Sequence, residues 1–261
     1  MSNPILVERR GPIAELRLAR PDLRNAMSPE MGEAIEAAVA ELDAADDLRV
    51  VILSGEGKSF SAGGDFDLLE RRCNSGGEHN RRAMRRFYAS FLSLRELRVP
   101  TIAAIHGHAI GAGLCLAMAC DLRVAAEGTK LGATFVRVGL HPGMGATYLL
   151  PQLIGRARAT DLLLTGRVID AATAEAMGLV SEVVAPEALR ARVEERASEI
   201  AEGAPVALAQ LVATLRGGAL RSLDDSLDRE AACQAIDYAT ADMREAIAAF
   251  RDKRAPRFEG K

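Results

Sequence analysis

Two glycine-containing segments hold the residues whose types and spacing best suit catalysis. The first reads FSAGGDF over residues 60–66, and the second reads HGHAIGAG over residues 106–113. Each follows a predicted buried strand and leads into a predicted helix, so backbone N–H groups of both turns can point at one place. Converging N–H groups stabilise the negative charge that develops on a carbonyl oxygen as it becomes an oxyanion. The pair therefore predicts a site for oxyanion chemistry.

Other motifs each fail at a defining residue. A phosphate-binding loop at Lys58 would need a glycine at position 52, where the sequence has Ile52. A dinucleotide-binding turn at Gly111 would need a third glycine where Leu116 stands. The sequence contains neither G-x-S-x-G nor H-E-x-x-H, and its four cysteines and four histidines are not spaced as metal ligands. We therefore expect neither a hydrolase nucleophile elbow nor a metal site.

Hydrophobic spacing predicts strands that alternate with helices along most of the chain. The predicted strands are residues 5–8, 13–18, 50–53, 101–105, 122–125 and 180–184, the first two joined as a hairpin by residues 9–12. The predicted helices are residues 29–43, 80–97, 113–120, 145–153, 157–164, 171–177, 187–203, 205–216 and 223–250, the last with a break near 238–242. Ser28 and Pro29 mark the start of the first helix. This alternation is typical of an α/β core, followed here by a helical tail.

The composition argues against several classes of protein. Of 261 residues, 49% are apolar and 26% are charged, with a net charge of −3, so no overall basic surface for nucleic acid is expected. No apolar stretch is long enough to span a bilayer. Without a C-x-x-C pair or a signal peptide, we expect a cytoplasmic protein. Six arginines form a local basic cluster: Arg71, Arg72, Arg81, Arg82, Arg85 and Arg86. The cluster is either a solvated helix face or the entrance of a binding site that attracts an anionic ligand.

In this order and spacing, the two glycine segments resemble those of the crotonase (enoyl-CoA hydratase/isomerase) superfamily. Further stretches resemble the same superfamily: RNAMS at 24–28, ACDLRVA at 119–125, GLHPGMG at 139–145, LTGR at 164–167, GLV at 178–180 and AFRDKR at 249–254. Because these motifs follow one another over nearly the whole chain, it is identified as a member of that superfamily.

The resemblance implies a fold, an assembly and a ligand. The fold would be α/β, a crotonase-like spiral of strand–strand–helix repeats with a C-terminal helical region that builds trimers, two of which can stack as a hexamer. Residues 1–200 would form the acyl-CoA-binding core and residues 201–261 the C-terminal helical oligomerisation region. The implied partner is an acyl-CoA thioester, and the only cofactor is the coenzyme A of the substrate itself. Nucleic acid and membrane are not expected partners.

The resemblance also implies site residues. The oxyanion donors would be the backbone N–H groups of Gly64 and Ala112, in agreement with the argument from the two turns. The residues implied to bind the coenzyme A moiety are Arg24, Ala26, Ala62, Asp65 and Phe66, together with Phe250 and Lys253. In this superfamily the last two can reach the ligand of a neighbouring subunit.

The sequence departs from the superfamily where its hydratases use two glutamates. These positions fall at Cys115 and Phe135, and a third position that serves as an acid in some relatives falls at Gly143. None of these three residues can replace a carboxylate in acid–base catalysis. Cys115 is either a thiolate base or a packing residue whose apolar neighbours raise its pKa. His141 is either a general base or a loop histidine without a chemical role.

Three hypotheses for the function are open at this point. The first is an enzyme that polarises an acyl-CoA thioester and hydrates or isomerises an enoyl-CoA. The second is another reaction on the same fold, such as decarboxylation or thioester hydrolysis; decarboxylation needs an oxyanion site but less acid–base machinery. The third is a non-catalytic protein that binds or delivers an acyl-CoA, for which Cys115 and Phe135 would supply apolar surface.

Overall fold

The computed structural model describes residues 3–217 and 222–261. Within these residues nine strands form two sheets, and eleven α-helices accompany them. The strands are β1 (Ile5–Arg10), β2 (Ile13–Leu18), β3 (Val50–Gly55), β4 (Thr101–Ile105), β5 (His108–Ile110), β6 (Leu122–Ala126), β7 (Lys130–Gly132), β8 (Val168–Asp170) and β9 (Glu182–Val184). The α/β class that the alternation of elements predicts is confirmed.

The larger sheet has the strand order β1-β2-β3-β4-β6-β9. β1 and β2 form the predicted antiparallel hairpin, but its turn is tighter than predicted because Arg10 still pairs with Ile13. From β2 onward all neighbouring strands run parallel. The carboxyl ends of β3 and β4 therefore lie at one edge, from which both glycine segments leave the sheet.

A second sheet, β5-β7-β8, has no counterpart among the predicted strands. Each of its strands is only three residues long, too short to show an alternating pattern. β5 lies inside the second glycine segment and pairs in parallel with β7, which pairs antiparallel with β8. An isolated bridge between Ser61 and Ala109 joins the first glycine segment to β5.

Each predicted helix is present, and Phe66–Cys73 forms an additional helix outside the predicted ranges. They are α1 (Pro29–Asp43), α2 (Phe66–Cys73), α3 (Gly77–Leu92), α4 (Ala112–Ala119), α5 (Ala146–Ile154), α6 (Arg156–Thr165), α7 (Ala171–Met177), α8 (Leu189–Ala201), α9 (Pro205–Gly217), α10 (Leu223–Asp237) and α11 (Ala241–Asp252). The predicted break near 238–242 is confirmed, since α11 starts afresh with Thr240 as its cap. Among the described residues, no helix is both long and apolar enough to cross a membrane.

The helix predicted over residues 80–97 differs at both ends. α3 begins at Gly77 and stops at Leu92, where a 3₁₀ turn, Ser93–Glu96, follows. The hydroxyl of Ser93 donates to the Ser90 carbonyl at 2.7 Å.

Apolar side chains cover both faces of the parallel strands. On one face, Val50, Ile52, Ile102 and Ala104 pack against α8. The alternate residues of β3 and β4 point the other way, into a larger cluster that includes α1 and α4. This explains why both strands are continuous apolar runs, as expected of strands buried on both faces.

Arg216 attaches α9 to the core. Its side chain is only 10% exposed, and its Nη2 lies 2.6 Å from Asp121 Oδ2. Its Nη1 also donates to the carbonyls of Arg95 and Leu97. A guanidinium with several buried acceptors holds one geometry, so α9 is fixed against the loops that precede β4 and β6.

Candidate active site

The early loop after β2 runs beside the first glycine segment. Ala62 N–H donates to the Arg24 carbonyl at 2.9 Å, and Met27 N–H donates to the Gly63 carbonyl at 2.7 Å. Asp65 N–H in turn donates to the Met27 carbonyl at 3.2 Å. These bonds hold the two loops side by side, so the predicted coenzyme A residues of both loops lie together.

Asn25 fixes the early loop to the chain that leaves β3. Its side chain is fully buried. Its Oδ1 accepts from Arg20 N–H at 2.9 Å, and its Nδ2 donates to the carbonyls of Ser59 and Phe60 at 2.9 and 3.1 Å. A fully paired buried amide stabilises one loop geometry. The motif points to this loop, but the partners of Asn25 are backbone atoms, which a sequence pattern does not reveal.

The two glycine segments lie against each other. Ser61 N–H donates to the His108 carbonyl at 2.9 Å, and Ile110 N–H donates to the Ser61 carbonyl at 3.1 Å. A Cβ atom on Gly113 would lie 2.6 Å from the Ser61 carbonyl oxygen, and one on Gly63 would lie 2.5 Å from the Ile110 carbonyl oxygen. Both positions therefore require glycine for this close approach of the two backbones.

Two backbone N–H groups at this junction, those of Gly64 and Ala112, have no hydrogen-bond acceptor in residues 3–217 or 222–261. The N–H groups on either side of Gly64 are bonded, to Ser61 Oγ and to the Met27 carbonyl. A Cβ atom on Gly63 would lie 3.4 Å from the Ala112 nitrogen, and the Cβ position of Gly64 faces open space. Two free N–H donors thus lie on neighbouring segments of the chain, beside an open space. Their role as oxyanion donors stays a prediction.

The N-terminus of α4 adds positive potential at this place. Gly111 precedes the helix with φ 54°, and no side chain caps it. The Cys115 N–H, which donates to the Gly111 carbonyl at 3.2 Å, lies one turn further along. All eight residues of α4 are buried. A buried, uncapped helix end leaves its first N–H groups and its dipole available to a negatively charged atom.

The two positions that the resemblance assigns to the glutamates of hydratases, Cys115 and Phe135, hold no carboxylate. Cys115 is fully buried on the first turn of α4, with its Sγ 3.6 Å from the Gly143 carbonyl oxygen. Burial raises the pKa of the Cys115 thiol to about 12. The thiol is therefore protonated at neutral pH and is no base. Phe135 is half-buried in a 3₁₀ turn, Thr134–Val138, and packs on the core.

His141 lies exposed in the loop before α5. Its Nδ1 is 2.8 Å from the Pro142 carbonyl oxygen. A carbonyl oxygen only accepts hydrogen bonds, so Nδ1 carries a proton there and only Nε2 is left to act as a base. No hydrogen bond among the described residues joins the imidazole to Cys115 or to the two free N–H groups.

Tyr88 on α3, which belongs to none of the sequence motifs, lies beside Gly143, whose carbonyl contacts Cys115. A Cβ atom on Gly143 would lie 2.3 Å from Tyr88 Oη, so the hydroxyl fills the side-chain position of residue 143. The Tyr88 ring packs edge-on against Phe87. No motif includes Tyr88, and α3 meets α4 only through tertiary packing. No signal in the sequence could have found it.

Asp65 has a structural role at the start of α2. Its Oδ1 accepts from the N–H groups of Asp67 and Leu68 at 3.0 and 3.4 Å, which caps the helix. Its Oδ2 lies 3.6 Å from Arg20 Nη1. The next residue, Phe66, is 73% exposed and offers an apolar surface beside the loops.

Phe250 and Lys253 do not join these loops within the single chain. Both lie at the end of α11, where Phe250 is 86% exposed and Lys253 adopts a left-handed φ of 56°. No hydrogen bond or ion pair in the described part of the chain connects them to Gly64 or Ala112. Their contact with a ligand stays a prediction.

The arginine cluster on α2 and α3 is partly neutralised. Glu78 pairs with both Arg81 and Arg82, and Glu36 pairs with Arg86. For these three arginines a solvated helix face is the simpler interpretation. The residues that the structure describes contain no group of three or more His, Cys, Asp or Glu side chains that could hold a metal ion.

Comparisons with known proteins show the family and the fold of the chain. The family model for enoyl-CoA hydratase/isomerase matches residues 8–261. The chain is 38% identical to enoyl-CoA hydratase domain-containing protein 2, mitochondrial, of Bos taurus, over 95% of this chain and 84% of the relative. It is 33% identical to 1,2-epoxyphenylacetyl-CoA isomerase of Escherichia coli K12, over 95% of each chain. A crystal structure of enoyl-CoA hydratase from Bacillus anthracis superposes with a TM-score of 0.93 at 33% identity, over 99% of this chain and 100% of that one.

The fold and the paired glycine turns thus define a crotonase-fold protein with helices at its C-terminal end. Within that class, the chain belongs to the enoyl-CoA hydratase/isomerase family. It is an enzyme of that family, and this favours the two enzymatic hypotheses over a non-catalytic carrier.

Proposed function

We propose that this enzyme binds an acyl-CoA thioester and polarises its carbonyl between the N–H groups of Gly64 and Ala112. The proposal rests on these two N–H groups, which lie on neighbouring segments of the chain and have no acceptor among the described residues; one of them is at the buried N-terminus of α4. Such donors stabilise an enolate oxygen. The family's own reaction, hydration or isomerisation of an enoyl-CoA, is the first candidate for the chemistry that follows.

The coenzyme A moiety is proposed to lie along the early loop and the start of α2. Arg24, Ala26, Ala62, Asp65 and Phe66 would contact it. The backbone bonds between the two loops and the exposed ring of Phe66 support this placement. Phe250 and Lys253 would come from a neighbouring copy, which agrees with their exposure on α11.

Decarboxylation or thioester hydrolysis is the second candidate for the reaction. Of these two reactions, the side chains at Cys115 and Phe135 favour decarboxylation, since a thiol with a pKa of about 12 and a phenyl ring cannot activate the water that hydration and thioester hydrolysis both require. A double variant, Cys115→Glu with Phe135→Glu, discriminates the candidates through loss of the enoyl absorbance of crotonyl-CoA. Hydratase activity gained by the variant supports a site that lost only its carboxylates. Rapid hydration of crotonyl-CoA by the wild type would contradict the interpretation that Cys115 and Phe135 stand in place of the catalytic carboxylates of a hydratase.

The variant Ala112→Pro tests the polarisation directly. Proline is tolerated at the first position of a helix, and here it removes one N–H group while keeping the helix. Butyryl-CoA labelled with ¹³C at its carbonyl should show a lowered stretching frequency when bound to the wild type, and this lowering should shrink in the variant. The loss corresponds to about 3 kcal/mol of transition-state stabilisation, or about 100-fold in rate.

Ala171→Pro is the matched control, because Ala171 is the first residue of α7, away from the two turns. We expect this variant to keep the lowered frequency. An unchanged carbonyl frequency in Ala112→Pro, with binding retained, would contradict the proposed role of Ala112.

The division into a core, residues 1–200, and an oligomerisation region, residues 201–261, is part of the proposal. Support comes from large apolar side chains that are exposed on the last three helices of the single chain: Leu211, Leu215, Leu223, Leu227, Ile236, Ile247 and Phe250. We propose that further copies of this chain cover them as a homotrimer or a hexamer. Light scattering should give three or six times the chain mass of 27.8 kDa. A monomer at working concentration would contradict this assembly.

We further propose that the enzyme works in the cytoplasm and needs no cofactor beyond the coenzyme A of its substrate. The four cysteines are free thiols, which suits a reducing compartment. Activity of the purified enzyme after dialysis against a chelator checks the second point; a loss that added metal restores would contradict it.

A further inference from the structure

The Tyr88 hydroxyl, Gly143 and Cys115 converge at one wall of the candidate site. Tyr88 Oη fills the side-chain position of Gly143, and the Gly143 carbonyl oxygen contacts Cys115 Sγ at 3.6 Å. Cys115 lies three residues after Ala112 on α4, a rise of about 4.5 Å. Tyr88 therefore brings a hydroxyl close to the first turn of the helix whose free N–H is proposed to hold the thioester oxygen.

The hydroxyl is free to act on a ligand. It makes no hydrogen bond with any residue in the described part of the chain, although Tyr88 is half-buried. The hydroxyl oxygen keeps some solvent-accessible surface. Burial, and then the neighbouring Cys115, raise the pKa of the Tyr88 phenol above its usual value of 10. At neutral pH the group is thus a hydrogen-bond and proton donor and not a base.

The residues around the hydroxyl supply no matching base. The thiol of Cys115 is protonated, and Phe135 and Gly143 have no ionisable side chain. The free Nε2 of His141 is on an exposed side chain, and no hydrogen bond among the described residues joins that imidazole to Tyr88, Gly143 or Cys115. Hydration, isomerisation and thioester hydrolysis all need a base, to remove a proton from water or from carbon. Loss of carbon dioxide from the α carbon needs none, and a polarised carbonyl and one acid are sufficient for it.

We propose that Tyr88 is the proton donor of this site and that the site decarboxylates acyl-CoA thioesters that carry a carboxylate on the α carbon. The inference rests on the proposed polarisation of the thioester carbonyl by Gly64 and Ala112. It goes further in naming the acid and the class of substrate.

The step balances without a further reactant except one proton from solvent. The bond between the α carbon and the carboxylate breaks, and carbon dioxide leaves. The electron pair of that bond forms the enolate, whose oxygen accepts from the N–H groups of Gly64 and Ala112. The α carbon then takes the proton of Tyr88 Oη, and water reprotonates the phenolate.

The test uses the full-length enzyme with malonyl-CoA and methylmalonyl-CoA as probes. We expect carbon dioxide release by the wild type, and in D₂O we expect deuterium on one face of the propionyl-CoA product. Tyr88→Phe removes only the hydroxyl and should lower kcat at least about 100-fold, with KM changed little. It should also abolish the facial preference, since solvent then protonates the enolate.

Tyr238→Phe is the matched control, because it removes a hydroxyl from a 65% exposed tyrosine after α10. This variant should behave as the wild type. Gly143→Ala is an independent second variant, because its Cβ would lie 2.3 Å from Tyr88 Oη and so displace the hydroxyl. It should reproduce the loss of kcat expected for Tyr88→Phe.

The outcomes separate this inference from the proposed function. A lowered carbonyl frequency of bound butyryl-CoA together with no carbon dioxide release would overturn the substrate class and leave the polarisation intact. Equal kcat and equal facial preference in Tyr88→Phe and wild type would overturn the role of Tyr88 alone. An unchanged carbonyl frequency in the wild-type complex would overturn the proposed function and this inference with it.

Discussion

The two helices that follow the glycine segments have the same length and opposite environments. α2 and α4 each contain eight residues. In α2 only Leu68 is buried, and the side chain of Asp65 caps the N-terminus. In α4 every residue is buried, and no side chain caps the N-terminus.

This difference separates two uses of a helix N-terminus. The exposed end of α2 is satisfied by its own chain, so it stabilises the loop that holds Gly64. The buried end of α4 has no such partner in residues 3–217 or 222–261, although leaving polar groups unpaired in the interior costs free energy. A ligand oxygen would remove that cost, which is why the α4 terminus is the stronger candidate for chemistry.

The largest effect on stability is expected where the two segments touch. Gly113→Ala would place a Cβ 2.6 Å from the Ser61 carbonyl oxygen, so the backbones must separate. We expect a loss of about 1–3 kcal/mol in the free energy of unfolding, measured by urea denaturation.

Gly64→Ala is the contrasting variant, because its Cβ meets nothing within 4 Å. It should change stability little and weaken acyl-CoA binding, since the methyl group would project into the open space of the site. Equal stability losses in the two glycine variants would contradict the packing described for this junction.

An intermediate effect on stability is expected from loss of the N-terminal caps of α2 and α7. Asp65→Ala and Asp170→Ala each remove a side-chain cap, from α2 and α7 respectively. Each should cost about 1 kcal/mol in the free energy of unfolding. Only Asp65→Ala should also weaken butyryl-CoA binding in calorimetry, because Asp65 adjoins Gly64. Unchanged binding in Asp65→Ala would limit Asp65 to its structural role.

The smallest effect is expected from the two buried thiols of α4, Cys115 inside the helix and Cys120 at its C-terminal cap. Burial raises the pKa of Cys115 and of Cys120 from 9.0 to about 12, so the unfolded chain loses these protons first as pH rises. Their contribution to stability is complete below pH 9 and declines from pH 9 to 12, by less than about 1 kcal/mol per thiol at pH 9.5. Cys115→Ala should reduce this alkaline decline in urea titrations.

Thiol labelling checks the same contrast without unfolding the protein. Cys73, the last residue of α2, is exposed and should react with iodoacetamide at pH 8, whereas Cys115 in α4 should stay unlabelled. Labelling of Cys115 at a rate similar to that of Cys73 would contradict its burial.

Much of the fold could be predicted from local patterns. The apolar runs of β3 and β4, the Ser28 cap with Pro29 and the break after α10 all depend on neighbours in sequence. The second sheet could not be predicted, because three-residue strands carry no periodic signal and form only when distant segments meet.

The candidate site divides in the same way. The glycine segments could be predicted from residue types and spacing, and the resemblance to the superfamily pointed to the missing carboxylates at Cys115 and Phe135. The roles of Asn25 and Tyr88 could not, since their partners are a set of backbone carbonyls and a glycine more than fifty positions away.

Residue types along the chain establish where glycine allows two backbones to approach and which positions lack a carboxylate. Those are properties of single residues and of their spacing along the chain. Tertiary contacts establish that the N–H groups of Gly64 and Ala112 have no hydrogen-bond partner among the described residues, that Cys115 is buried and protonated, and that Tyr88 fills the side-chain position of Gly143. Burial and hydrogen bonding depend on which distant atoms surround a group, and packing alone settles that.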